Sequence, residues 1–346
     1  MPGLHSTSRP KDRRAPAASE GRRGGFVLSL DFELMWGVHS NRASQRYAPN
    51  VLGARKAIPS LLALFERHGV ACTWATVGLL FFRTRAGMER ALPAARPRYR
   101  DDALSSYGYL DEVGADEESD PLHFGRSLLD IVRATPRQEI GTHTFSHYYW
   151  LDAEPDPAAF GADLAAARGA AERLGLRLES LVLPRNQVGE GALDVAALHG
   201  VATFRGAAPG WFNAPCASRH DGRLRRALRA IDTYLPLAGT GAVEARLAGG
   251  LVDVPASRFL RPVSRALAPL EPLRATRVLA GMRDAARTDR LYHLWFHPHN
   301  FGENLERNLH FLERILVEAR QLDHVHGWPS LTMGEVGRRL RAERAA

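Results

Sequence analysis

Two histidines four residues apart, His143 and His147 in "EIGTHTFSHYYW", follow a short apolar run that closes on a glycine. Imidazoles at that spacing can share a metal ion, but the spacing proves little by itself. With 14 histidines in 346 residues, about half a pair at this separation arises by chance. A second such pair, His293 and His297 in "LYHLWFHPHNF", is in fact present. What sets the first pair apart is where other chemically capable residues fall. Asp31 and Glu33 end the apolar run "GGFVLSLDFEL", Arg185 and Asn186 follow "SLVLP", and His297 and His299 end "RLYHLWFHP". Acids, imidazoles and a guanidinium therefore recur at the ends of four candidate strands. In parallel α/β proteins chemistry collects at the C-terminal strand ends, so these residues are expected on one rim. Any one of them alone is more often an ordinary polar residue. Four sorted in this way form a pattern.

Two imidazoles and a carboxylate around an open position are the ligand set of a mononuclear hydrolytic zinc or related divalent ion. Such an ion polarises a carbonyl and makes water more acidic. A second carboxylate nearby can take a proton from that water, and a separate histidine can protonate the leaving group. Together the set supports hydrolysis of an amide or an ester.

The elements that must position these residues are short apolar strands alternating with helices. "GGFVLSLDFEL", "VACTWATVG", "QEIGTH", "SLVLP", "GVATFR", "GLVDVPA" and "RLYHLWFHP" have strand character. "VLGARKAIPSLLALFERHG" has helical periodicity and stops at Gly69, and "FGRSLLDIVRAT" and "DPAAFGADLAAARGAAERLG" are also helical. "NLERNLHFLERILVEARQL" is the strongest amphipathic helix near the end. Such alternation implies βα units, a parallel sheet and right-handed crossovers. At least six units over some 320 residues suit a barrel better than an open sheet. Residues 84–122 have weak periodicity and are expected to form an insertion. Residues 206–250 and 258–290 resist assignment.

Composition bounds the rest. The chain is 45% hydrophobic and 24% charged, as an ordinary globular protein is, and no internal repeat or separating linker is evident, so one domain over 25–346 is expected. No run approaches the eighteen or so apolar residues of a membrane span. "MPGLHSTSRPKDRRAPAASEGRRGG" is basic and polar with no apolar stretch, unlike a signal peptide, and residues 1–24 are expected to be a disordered tail. Cys72 and Cys216 are too few for a disulfide framework, which fits a reducing cytoplasm. The net charge of +8 and pI near 10.0 come largely from arginine in the tail and in "SRHDGRLRRALRA". That basic character is expected to be a solvated face, or else to draw an anionic membrane surface or a phosphate-bearing substrate. No familiar nucleic-acid motif is present.

Read in order, these stretches resemble the NodB-homology polysaccharide deacetylases, an α/β family with a distorted (β/α) barrel of about seven parallel strands. "HTFSH" is similar to the family's metal motif, and "RNQVG" at 185–189 stands where the family has Arg-Pro-Pro-aromatic-Gly. "LWFH" resembles the last motif, which ends in the histidine acting as general acid, and "SLDFE" resembles the opening Thr-Phe-Asp-Asp-Gly. The resemblance spans roughly residues 25–335 but rests on these short stretches. It implies His143 and His147 as ligands of one divalent ion, zinc by preference, with His297 as acid, Asp31 as base and Arg185 in the arginine motif. The chain departs from the family in having Phe32 at the metal-binding Asp. Glu33, on the same face as Asp31 in an extended strand, then replaces the missing ligand. Two alternatives stay open, one with Asp31 on the metal and Glu33 as base, the other with no metal.

Trp36 and Trp211 fall in expected rim loops and are candidates to stack on sugar rings, with Asn186 and His299 as further substrate contacts. Trp295 and His293 read as wall residues. The leading expectation is a metal-dependent deacetylase of an N-acetylated (or O-acetylated) sugar in a polysaccharide or cell-envelope intermediate, free or nucleotide- or lipid-linked. "LSLDFELMWG" also looks like the opening of certain retaining glycosidases with related barrels, whose chemistry needs two carboxylates about 5 Å apart. A silent carbohydrate-binding barrel is the third alternative.

Overall fold

The computed structural model describes residues 23–40 and 44–345. The expected tail falls mostly outside that range. Its last two residues do not behave as tail, because the backbone N–H groups of Arg23 and Gly24 both donate to the Asp289 carboxylate at 3.2 Å.

One mainly parallel sheet carries the molecule. Its strands are β1 (Gly25–Phe32), β2 (Cys72–Thr76), β3 (Gln138–Thr142), β4 (Ser180–Leu181), β5 (Thr203–Phe204), β6 (Arg246–Ala248), β7 (Leu251–Asp253), β8 (Arg258–Phe259), β9 (Leu291–Phe296) and β10 (Ser330–Leu331). They follow the order β6-β7-β5-β4-β3-β2-β1-β9-β8, with β10 pairing β1. Only the β6–β7 pair is antiparallel. Helices cover the outside: α1 (Ser44–His68), α2 (Arg85–Glu89), α3 (Arg126–Ala134), α4 (Pro157–Glu172), α5 (Ala192–Leu198), α6 (Arg223–Asp232), α7 (Glu271–Arg287), α8 (Leu305–His326) and α9 (Met333–Ala345). No helix among the described residues is long and apolar enough to cross a membrane.

The sheet closes on itself through one extended segment. Val254 and Ala256 donate their N–H groups to Phe204 O and Gly206 O, each at 2.9 Å, while Ser257 and Leu260 donate to His293 O and Trp295 O, each at 2.8 Å. β7 and β8 are therefore two halves of one stave, bonded first to the β5 side and then to β9. Pro255, which has no N–H to give, marks the changeover. Counted this way the staves are β1, β2, β3, β4, β5, β7–β8 and β9. Several are only two or three residues long, and this irregularity is the distortion of the barrel.

Alternation along β1 sorts its side chains between two cores. Phe26, Leu28, Leu30 and Phe32 join the large apolar layer beneath the helices. Val27 points instead into the lumen with Ala75, Val182, Val252, Val254 and Leu291, and Met333 and Val336 of α9 plug that end. Small branched side chains suit a lumen this narrow. Above them the filling changes from hydrocarbon to charge, beginning at Ser29 and Asp31.

The 84–122 stretch, with α2 and two tight turns, forms a wall beside the top of the barrel. Ser106 Oγ donates to Ser146 O at 2.8 Å, and Tyr107 OH donates to Asp163 Oδ2 at 3.3 Å.

Candidate active site

Three ligand-type residues converge where β1 and β3 end. Glu33 Oε2 lies 3.0 Å from His147 Nε2 and 3.3 Å from His143 Nε2, and all three residues are buried. His143 Nδ1 is 2.8 Å from Val182 O, which can only accept, so Nδ1 carries the proton. Its Nε2 is thus the nitrogen aimed at the carboxylate, and a cation placed there would meet a Glu33 oxygen and both Nε2 atoms. Burial, opposed by Glu33, pushes His147 down to about 4, so its imidazole is neutral near pH 7. Burial alone would raise Glu33, but His297, His143 and His147 hold its carboxyl well below the usual range. Two imidazoles and a carboxylate fit a divalent ion of the zinc type.

Local structure makes this convergence possible. Glu33 stands just past the strand, where Leu34 adopts φ +48° and turns the chain. A Cβ at Gly37 would lie 2.0 Å from the Glu33 carboxyl, so only glycine leaves room for it. In "HTFSH", Thr144 and His147 both take left-handed conformations, at φ +64° and +58°. These bends are costly for non-glycine residues. Asp163 of α4 offsets the cost from below, accepting from Phe145 N at 2.6 Å, Ser146 N at 3.2 Å, Ser146 Oγ and Tyr107 OH. Despite these donors, burial pushes the Asp163 carboxyl up to about 6.

Asp31 has a different environment. Arg205, at the end of β5, grips it in a two-pronged pair, Nη1 to Oδ1 at 2.7 Å and Nη2 to Oδ2 at 2.8 Å. The guanidinium also donates to Ser29 Oγ at 3.0 Å and to Asn186 Oδ1 at 2.9 Å, and lies 4.2 Å over the Trp295 ring. Ser29 Oγ in turn sits 2.8 Å from His293 Nε2, and His293 Nδ1 faces Val254 O at 3.1 Å. Burial, then Arg205, drives His293 down to about 3, so it stays neutral and donates to that carbonyl. Burial would raise Asp31, but the guanidinium outweighs it and holds the carboxyl below its ordinary value.

His297 stands above both carboxylates, its Nε2 3.7 Å from Asp31 Oδ2 and 3.6 Å from Glu33 Oε1. Its side chain is 21% exposed, against 4% or less for Asp31, Glu33, His143 and His147. His299 stacks on His297 at 4.9 Å, with Nε2 4.0 Å from Glu33 Oε1, and burial followed by His297 pushes it down to about 3.

Asp31, Glu33, His143, His147, His297 and His299 are thus brought together, while two of the expected residues stand elsewhere. Arg185 is turned away by consecutive left-handed residues, φ +54° here and +51° at Asn186. It lies 4.4 Å over the Tyr149 ring and 3.7 Å from Asp152, and the guanidinium beside Asp31 is that of Arg205. Asn186 does reach the site, holding Arg205. Trp36 is fully buried, its indole N–H donating to His123 O at 2.9 Å, so it offers no face to a sugar. Trp211 is 62% exposed and stays available. Arg205 was missed although "GVATFR" reads as a strand ending in arginine. The strand-end rule that selected the other residues applies to it equally.

No family model and no curated protein matches the sequence. Solved structures do. A protein assigned as a polysaccharide deacetylase from Mycobacterium smegmatis aligns at TM-score 0.55 and 15% identity, over 95% of each chain. Puue allantoinase aligns at TM-score 0.51 and 11% identity, over 97% of this chain and 96% of its own. A GH57-type branching enzyme from Pyrococcus horikoshii aligns at TM-score 0.52 and 12% identity, over 90% of this chain and 69% of its own. The chain shares the distorted (β/α) barrel fold of these proteins. At such identities the likeness extends to architecture, and the reaction must be argued from the site.

Two consequences can be measured. Arg205→Ala leaves the Asp31 carboxylate buried without its partner and should cost about 3–5 kcal/mol in urea unfolding at pH 7. Because Asp31 is depressed in the folded state, its stabilisation is present above its ordinary value of 3.8 and is lost as pH falls towards the folded value. The variant should lack that share of the acid-side loss, and an unchanged midpoint and pH profile would contradict the pairing. Asp163→Ala releases four donors under "HTFSH" and should lower divalent-ion content as well as Tm. Full metal content in that variant would show that the loop holds its shape without Asp163.

Proposed function

We propose that this protein is a metal-dependent carbohydrate deacetylase, cleaving an N-acetyl (or O-acetyl) group from a sugar of a polysaccharide or cell-envelope glycoconjugate intermediate. The observation carrying this reading is the division of labour between two carboxylates from one strand end. Glu33 faces two imidazoles, whereas Asp31 faces a guanidinium, and His297 bridges the two.

A divalent ion on Glu33, His143 and His147, zinc by preference, would supply Lewis acidity towards the acetyl carbonyl. Asp31 takes the proton from the attacking water. Arg205 keeps it ionised and fixes both its oxygens, so the acceptor needs no reorientation as the reaction proceeds. A carboxylate depressed in this way holds the proton weakly and can pass it on. His297, the most open of the group, donates to the departing nitrogen, which is far too basic to leave as an anion. His299, neutral and stacked on His297, limits the ring's movement.

The glycosidase reading lacks its essential geometry. That chemistry needs two carboxyl groups flanking the scissile bond. Here both acids come from one strand end rather than from opposite sides of the site, and Glu33 faces two imidazoles. The direct test is acetate release from a panel of N-acetylated sugars, with and without a chelator. Reducing ends in place of acetate, or turnover indifferent to chelation, would overturn the proposal.

The two carboxylates should separate cleanly on mutation. Glu33→Ala should lose bound metal, whereas Asp31→Asn should keep metal and lose about 10²-fold or more in kcat. Metal analysis beside acetate assays checks this, and the opposite pattern would exchange the two roles. His297→Ala should keep its metal and lose about 10²- to 10⁴-fold in acetate release. Turnover within about threefold of the unmodified protein, well below the usual acid-catalysis range, would remove His297 as the acid and move His299 forward.

A further inference from the structure

Beside His297 lies a cleft of about 550 Å³ whose walls are unusually rich in arginine. Arg185, Arg226, Arg229, Arg258 and Arg261 line it, against the two acids Asp221 and Asp232. Those acids are already engaged. Arg229 donates from one nitrogen, Nη2, to both Asp221 oxygens at 2.6 and 2.7 Å, and Arg226 lies 3.9 Å from the same carboxylate. Asp232 is shared between Arg258 at 3.2 Å and Arg277 at 3.0 Å. Arg185 has Asp152 at 3.7 Å. Arg261 is left with a hydroxyl, donating to Thr233 Oγ1 at 3.1 Å, and the nearby Arg229 cation adds to the repulsion it experiences. Counting Arg277 and Asp152, six guanidinium groups face three carboxylates, an excess of three positive charges.

The cleft is joined to the site. Phe259 and Trp295 both line it, pack at 4.6 Å, and each lies 5.7 Å from the His297 ring. An aromatic pair offers the flat apolar surface a sugar ring packs against. Guanidinium groups with spare donors are suited to phosphate oxygens, which they bind in two-pronged fashion. The volume falls within the usual range for small-molecule sites, roughly 300–1,000 Å³.

We propose that this cleft binds the phosphate or diphosphate of a glycosyl phosphate, with the sugar on Phe259 and Trp295 and its acetyl group at His297. This rests on the deacetylase reading and specifies its substrate. The anion could be carried by a nucleotide or by a lipid, since both present the same diphosphate to the arginines. It also gives Arg185 a place at the cleft rather than beside Asp31.

Two measurements test the assignment independently. Inorganic pyrophosphate should bind the metal-loaded protein by calorimetry, with affinity falling as salt rises, and Arg261→Ala and Arg226→Ala should each weaken it about tenfold. Arg226 is largely exposed, so its variant is expected to fold even if the Arg261 variant does not. No pyrophosphate binding, or binding indifferent to both substitutions, overturns the cleft assignment. In acetate assays, kcat/KM should be at least tenfold higher for N-acetylglucosamine 1-phosphate, UDP-N-acetylglucosamine or an N-acetylglucosaminyl prenyl diphosphate than for a neutral chito-oligosaccharide. That ratio should collapse in Arg226→Ala. Preference for the prenyl over the uridine diphosphate identifies a lipid carrier, and the reverse a nucleotide. Equal rates on neutral and phosphorylated sugars overturn the proposal while leaving the deacetylase reading intact. Pyrophosphate binding without acetate release from any substrate would sink the deacetylase reading and keep the anion site.

Discussion

The Arg205–Asp31 pair spans the barrel from the end of β5 to β1, and much of the upper interior is arranged around it. A buried guanidinium is tolerable only if its charge and its donors are matched. Asp31 supplies the charge, Ser29 and Asn186 accept further N–H groups, and Trp295 covers the face. Ser29 is itself tied to His293, which is tied to the closing segment at Val254. One cation therefore links β1, β5, the turn after β4, the closing stave and β9. These partners offset the cost of withdrawing it from water, and the network joins strands of which several are only two or three residues long.

That arrangement also keeps apart two acids that would otherwise compete. Asp31 and Glu33 are two residues apart, and like charges so close raise one another's proton affinity. Each is instead paired with its own positive or polarisable environment, a guanidinium for one and imidazoles for the other. Both stay ionised, and they remain chemically different. Glu33 sits among groups that can share a metal ion, while Asp31 is held in place by the Arg205 guanidinium. Phe32 between them points the other way, edge-on to Trp74 at 6.2 Å in the outer core. A residue that cannot bind metal occupies this position because the backbone directs it into hydrocarbon.

Arginine recurs at a second level, around the cleft and on α7. Arg274 and Arg277 are almost fully buried there, one paired with Glu271 and lying 3.9 Å over the Phe311 ring, the other paired with Asp232. Their aliphatic stems fill space that leucine would fill in a more ordinary helix. The excess of positive charge in the composition is therefore partly structural. Another part gathers around the cleft, which five arginines line.

Much of the design was legible in the sequence. The βα alternation, the helix α4 and the amphipathic α8 follow from local periodicity, which depends only on neighbours along the chain. The strand-end rule found Asp31, Glu33, His143, His147, His297 and His299, because in a parallel barrel one end of every strand opens on the same side. What periodicity could not reach was α6 and α7, whose buried positions include charged residues that become tolerable only once Asp232 and Glu271 are beside them. Nor could it choose between Arg185 and Arg205. Both follow short strands, and the choice was made by two left-handed residues that swing Arg185 outward and by barrel closure that carries Arg205 across to Asp31. Trp36 was misplaced for the same reason, since the 84–122 wall that buries it is distant in sequence. Residue types and strand ends determined which chemistry is available. Closure of the barrel decided which guanidinium holds Asp31 and which carboxylate meets the imidazoles, because those pairings join segments more than a hundred residues apart.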